Sequence, residues 1–158
     1  VIVPGIRALA AELPAVGLAV SLHAPNDAMR DALVPVNRRY PLADVIDACR
    51  EYVAATGRRV TMEYTLIAGV NDSDGAARET ATLLRGLRCH VNLIPLNPTE
   101  GCALRPSPAE RVERFRDLLR RAGIATTVRL RRGAEVLAGC GQLRGSTPSR
   151  DERTFDQG

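Results

Sequence analysis

Gly17-Leu-Ala-Val-Ser-Leu-His23 is a continuous apolar run of strand length that closes on two polar side chains, Ser21 and His23. Runs of this kind mark strands buried in a parallel sheet. Val60 to Ile67 is strand-like, and Val91-Asn-Leu-Ile-Pro-Leu96 is another strand, whose Pro95 suits a strand end. Ala125 to Leu130 is a last, shorter strand. Helical patterns separate them. Leu42, Val45, Ile46, Cys49 and Val53 recur in steps of three and four along Leu42 to Thr56, and Gly57 stops that helix. Ala76 to Leu87 is a second helix, capped by Ser73 or Asp74, and Ala109 to Ala122 is a charged amphipathic third, followed by Gly123. Ile2 to Leu13 reads as a short helix entered through Pro4, and Asn26 or Asp27 caps another through Leu33. Repeated βα units of this order predict an α/β fold with a parallel sheet, either doubly wound or a barrel. In both, ligands gather at the C-terminal ends of the strands.

The 158 residues suffice for one domain, and 45% hydrophobic with 25% charged residues is ordinary globular composition. Aromatics make up 3%, and Trp is absent, so Leu, Val, Ile and Ala must build the core. Readers of RNA that stack bases on aromatic platforms have little to work with here. All 22 basic residues are Arg, and the net charge is +4. A GC-rich coding sequence accounts for that bias; a phosphate-facing surface is the functional alternative, and both can hold. The four cysteines, Cys49, Cys89, Cys102 and Cys140, form no CxxC or CxxxCxxC cluster, so no metal site is read within the chain. Nothing resembles a signal peptide or a membrane span, and the expectation is a cytoplasmic protein with free thiols. The chain opens without Met inside a running pattern, so a preceding portion is expected to be missing.

The strand-end rule singles out four places. Ser21 and His23 alternate, which in a regular strand turns both to one sheet face. A His at a strand end serves structure more often than catalysis. Glu63, with Tyr64 and leading on to the Asn71-Asp72 loop, is either an interior acid or an exposed strand residue; a buried carboxylate would need a partner. Asn97 precedes Pro98, which fits a plain turn, although its amide also matches an adenine edge. Cys140 lies between Gly139 and Gly141, after the basic stretch Arg129 to Arg132. The glycines permit close approach, and the positive charge favours thiolate. Cys49 sits on an apolar helix face as packing, while Cys89 and Cys102 have no evident partner. Arg58, Arg59, Arg111, Arg114, Arg120 and Arg121 are candidates for RNA contact, against the simpler reading of solvated helix faces.

Five stretches together carry a resemblance. Ser21-Leu-His-Ala-Pro-Asn-Asp27, Arg30-Asp-Ala-Leu-Val-Pro-Val-Asn37, Gly69-Val-Asn-Asp72, Val91-Asn-Leu-Ile-Pro-Leu-Asn-Pro98 and Cys140-Gly-Gln-Leu143 resemble the RlmN-type radical S-adenosylmethionine (SAM) methyltransferases in order and spacing. The resemblance implies that residues 1–144 are the C-terminal part of a partial parallel βα barrel of the radical SAM type. Residues 145–158 are a polar tail expected to be disordered. It implies methylation of carbon-2 of an adenine in 23S rRNA and in tRNA, with SAM and a 4Fe–4S cluster as cofactors and an electron donor for the cluster. By motif, Ser21, Leu22, His23 and Asn97 would bind SAM, and Cys140 would be the S-methylcysteine intermediate. A deoxyadenosyl radical would activate that methyl group for addition to a carbon too electron-poor for ordinary SAM methylation.

Two departures bear on this. The family's CxxxCxxC cluster motif, resolving cysteine and glycine-rich SAM segment are expected upstream, so the chain alone should neither hold the cluster nor turn over. The stretch Gly133-Ala-Glu-Val-Leu-Ala-Gly139 is also less acidic than the family's usual version. The alternatives are a sibling enzyme that methylates adenine carbon-8 and a non-catalytic RNA-binding fragment. A Schiff-base aldolase is disfavoured by the absence of Lys.

Overall fold

A computed structural model describes residues 3–97 and 103–129. The elements alternate along the chain as α1 (Val3–Glu12), β1 (Ala19–Ser21), α2 (Asp27–Leu33), a 3-10 turn (Pro35–Arg38), α3 (Leu42–Thr56), β2 (Val60–Leu66), α4 (Asp74–Leu83), β3 (Cys89–Pro95), α5 (Ala109–Arg121) and β4 (Ala125–Val128). The four strands are parallel and lie in the order β1-β2-β3-β4. A doubly wound sheet reverses direction partway through its strand order. Here each strand simply adds beside the one before it, which is how a barrel wall grows.

Burial shows which face the helices cover. Along β2 every second residue is buried, from Val60 through Met62 and Tyr64 to Leu66. Val20, Val91 and Leu93 continue that face across the neighbouring strands, all fully buried. Side chains of α1, α3, α4 and α5 pack on it in a single cluster, including Ile6, Val45, Ala77, Phe115 and Leu119. The Tyr64 and Phe115 rings meet tilted, centroids 5.1 Å apart. The alternate residues of β2, Thr61, Glu63 and Thr65, are only half-buried and face away from the helices. The strand is thus apolar toward the helices and polar on its other side.

Local chemistry sets the helix ends. Asn26, not Asp27, caps α2 by accepting from the Met29 N–H, and Ser73 caps α4 through Ala76. Gly57 closes α3 in the left-handed region at φ 66, where a Cβ would be strained. α4 ends at Leu83 rather than Leu87, because the chain turns through Gly86 at φ 75. The strand expected over residues 17–23 is regular only from Ala19 to Ser21, since His23 itself adopts φ 58 and leaves the extended conformation. No helix among the described residues is long and apolar enough to cross a membrane. Cys102, Cys140, the limit at residue 144 and the polar tail lie outside the described residues.

Candidate functional site

The C-terminal edge of the sheet is built around the turn Ser21-Leu22-His23. Leu22 is fully buried and belongs to the core. Its N–H donates to the Glu63 carbonyl at 2.8 Å, so the ladder continues one residue past β1. At His23 the backbone turns left-handed, and the imidazole takes over: its Nδ1 accepts the Thr65 N–H at 3.0 Å. A ring nitrogen thus stands where a strand carbonyl would be. With Nδ1 accepting, the neutral ring carries its proton on Nε2. Burial, then the Arg30 charge, lowers the His23 pKa below its ordinary value, against a smaller opposing effect of Glu63.

Two side chains fix this turn from behind. Arg30 is 1% exposed. Its Nε donates to the Leu22 carbonyl and its Nη2 to the Ser21 carbonyl, both at 3.0 Å, while Nη1 reaches Asn37 Oδ1 at 2.6 Å. The Asn37 amide in turn donates to Asp27 and Asp31, so the buried cation has anions one step away. Asp27 also accepts from the Leu42 N–H, tying the start of α3 to the same network.

Asn71, fully buried, works from the other side. Its Nδ2 donates to the carbonyls of His23 and Thr65 at 2.8 and 2.7 Å, and its Oδ1 accepts from Ile67 N–H at 2.7 Å. The Tyr64 hydroxyl donates to its carbonyl at 2.9 Å. Asp72 next to it accepts from Gly69 N–H and from the Ser107 hydroxyl. The loops after β1 and β2 are therefore one hydrogen-bonded unit. In the sequence Arg30 stood only within a motif of the resemblance, and Asn71 only within another, in the loop that follows the second strand end; neither was given a contact.

Ser21 is half-buried on the sheet face away from the helices. Asn97 is exposed, two residues past the end of β3, and so lies at the same edge of the sheet as His23. The structure thus gathers three of the four predicted SAM contacts at one edge and places the fourth, Leu22, in the core beneath them. Glu63 lies on the same face as Ser21, its register partner.

The arginines divide by position. Arg111 and Arg114 converge on Asp74, which the Arg114 hydrogen bond, and then the arginine charges, hold below the usual carboxylate range. Arg120 donates to the Thr126 carbonyl. Arg58 and Arg59 line, with Arg88, a cleft of about 540 Å³ at the opposite, N-terminal end of the strands. Cys49 is buried in the core, and desolvation pushes its thiol up to about 12; Cys89, half-buried at the start of β3, rises to about 11 for the same reason. Among the described residues no group of three or more His, Cys, Asp or Glu is placed to hold a metal.

No family model matches the chain. It is 52% identical over 158 residues to a probable dual-specificity RNA methyltransferase RlmN from Pelotomaculum thermopropionicum, covering 99% of this chain and 43% of that protein. The corresponding protein of Desulforamulus reducens is 51% identical over 143 residues, 90% of this chain and 41% of its own length. The chain therefore spans about two-fifths of the length of these relatives. A crystal structure of a radical SAM methyltransferase from Sphaerobacter thermophilus superposes with a TM-score of 0.86 at 60% identity, over 90% of this chain and 42% of that one. A domain of a pyruvate-formate lyase-activating enzyme from Bacteroides vulgatus shares the fold at a TM-score of 0.56 and 20% identity.

Proposed function

From its homology to RlmN-type radical SAM RNA methyltransferases, we propose that this chain contributes the later strands of the barrel in such an enzyme. The activity is proposed for a protein that joins this chain to the remaining three-fifths of the relatives' length. The substrate is an adenine of 23S rRNA, and of tRNA, methylated at carbon-2, in the cytoplasm and with an electron donor to reduce the cluster. The observation that carries the reading is identity at about half of all positions along at least 90% of the chain.

SAM suits the residues present. The sheet face beside Ser21 carries Glu63, whose carboxylate makes no hydrogen bond or ion pair among the described residues, and the Nε2–H of His23 is not spent on Thr65. Ser21, His23 and Asn97 would contact the cofactor, with Leu22 seating the turn from the core. The 4Fe–4S cluster does not fit the described residues, and the chain holds no CxxxCxxC, so no step is assigned to it on these side chains. When bound, SAM supplies the methyl group and the radical chemistry that an electron-poor adenine carbon requires. Cys140, flanked in sequence by Gly139 and Gly141 and preceded by the basic stretch Arg129 to Arg132, would hold the methyl group in transit.

The test is Cys140→Ala in the full-length protein, read by mass spectrometry of nucleosides from treated RNA. Loss of 2-methyladenosine is expected, and continued turnover would falsify the role of Cys140. An 8-methyladenosine product would reassign the chain to the carbon-8 enzymes, and no product from the wild-type protein would favour a non-catalytic RNA-binding fragment.

A further inference from the structure

The sheet face turned away from the helices carries a polar row across all four strands. Ser21 is the register partner of Glu63, Glu63 of Asn92, and Asn92 of Thr127. Neighbouring strands run about 4.8 Å apart, so these four side chains stand side by side at one level. One end of the row is internally satisfied. The Thr127 hydroxyl lies 2.8 Å from His90 Nε2 and donates to Asn92 Oδ1 at 3.4 Å. A hydroxyl has one proton to give, so Thr127 accepts from His90 and donates to Asn92. Asn92 therefore commits its oxygen toward β4 and keeps its amide hydrogens for something else.

Glu63, in the middle of the row, is the unexplained member. It is half-buried, yet its carboxylate makes no hydrogen bond or ion pair among the described residues and acts on His23 only through its charge. A half-buried carboxylate loses hydration, and Glu is a poor strand former. The fold gains nothing from it that Thr or Val would not supply better. Its backbone, however, is bound into the candidate site, since the Glu63 carbonyl accepts from both Leu22 and His23.

We propose that Glu63 is a binding residue for the ribose of SAM, its two carboxylate oxygens accepting the 2′ and 3′ hydroxyls, with Ser21 and Asn92 flanking it in the row. This rests on the reading above that the chain takes part in holding SAM. A vicinal diol offers two adjacent O–H donors, which a carboxylate receives through short, charge-assisted bonds. Dinucleotide sites use an acidic residue on a ribose hydroxyl in the same way. Glu63 lies next to Ser21 in the register and one residue before Tyr64, so the ribose would rest on the sheet face just below the His23 turn.

The probe is S-adenosylhomocysteine, together with its 2′-deoxy and 3′-deoxy analogues, titrated calorimetrically into the full-length protein and its Glu63→Gln variant. The wild-type protein is expected to bind the parent ligand about tenfold or more tightly than either deoxy analogue. Glu63→Gln is expected to weaken the parent by a similar factor and to lose the discrimination. Thermal unfolding of the variant checks that it folds; were it not to, discrimination by the wild-type protein alone still decides. Equal wild-type affinity for parent and analogues, or a folded variant that binds like wild type, overturns the Glu63 assignment and leaves SAM binding standing. No binding of the parent ligand by the wild-type protein overturns both.

Discussion

The Nδ1 of His23 accepts the backbone N–H of Thr65 at 3.0 Å, so an imidazole completes the edge of a parallel ladder. That bond exists only while the ring is neutral, because imidazolium donates from both nitrogens. The His23 pKa is lowered, first by burial and then by Arg30. A histidine depressed in the folded state adds stability that is present above its unfolded pKa and is lost as pH falls through its folded pKa.

His23 is accordingly expected to titrate below 6.5 in an NMR experiment on its ring protons. The stability difference between wild type and His23→Asn should shrink as pH drops from 7.5 toward 5, measured by urea unfolding. A midpoint at or above 6.5, or a difference that does not change with pH, would sink the idea. His90 is depressed as well, by burial and Arg59, so the mutant comparison is needed to isolate His23.

Arg30 satisfies the carbonyls of Ser21 and Leu22 and the oxygen of Asn37 at once. Arg30→Met keeps much of the volume but leaves three acceptors unpaired and two carboxylates facing no cation. It is expected to cost about 3 kcal/mol or more in denaturant unfolding. A loss under 1 kcal/mol would mean that water replaces the guanidinium at little cost, and that the turn does not depend on it.

Cys49 and Cys89 are expected to resist thiol reagents at pH 8 in the folded protein and to react fully after denaturation, because burial holds their thiols near 12 and 11. Counting modified cysteines by mass spectrometry with and without urea checks this. Rapid labelling of Cys49 under native conditions would show that the core around α3 opens.

Repeated βα units were readable because apolar runs of strand length alternate with helical periodicity and end in glycines such as Gly57. Periodicity left a doubly wound sheet and a barrel wall both open; the resemblance implied a partial barrel, and the sequential order β1-β2-β3-β4 agrees with it. The 3-10 turn over Pro35–Arg38 was missed because four residues carry no periodicity. At the site, Ser21, His23 and Asn97 were singled out by strand-end position and motif. Arg30 and Asn71 lay within motifs of the resemblance, but their hydrogen bonds to main-chain atoms of other segments were not legible there. The strand pairing also reveals the alignment of Glu63 with Ser21 and Asn92, since register is set by tertiary contacts.

The sequential strand order has a consequence for how the molecule is made. From β2 onward, each strand pairs with the one synthesised just before it. Among the described strands, a chain leaving the ribosome therefore pairs each new strand with one already made, and the edge left open is the one that the next strand translated covers. Each crossover helix and its strand can dock on a surface already in place, and the sheet widens by one strand at a time in the direction of translation.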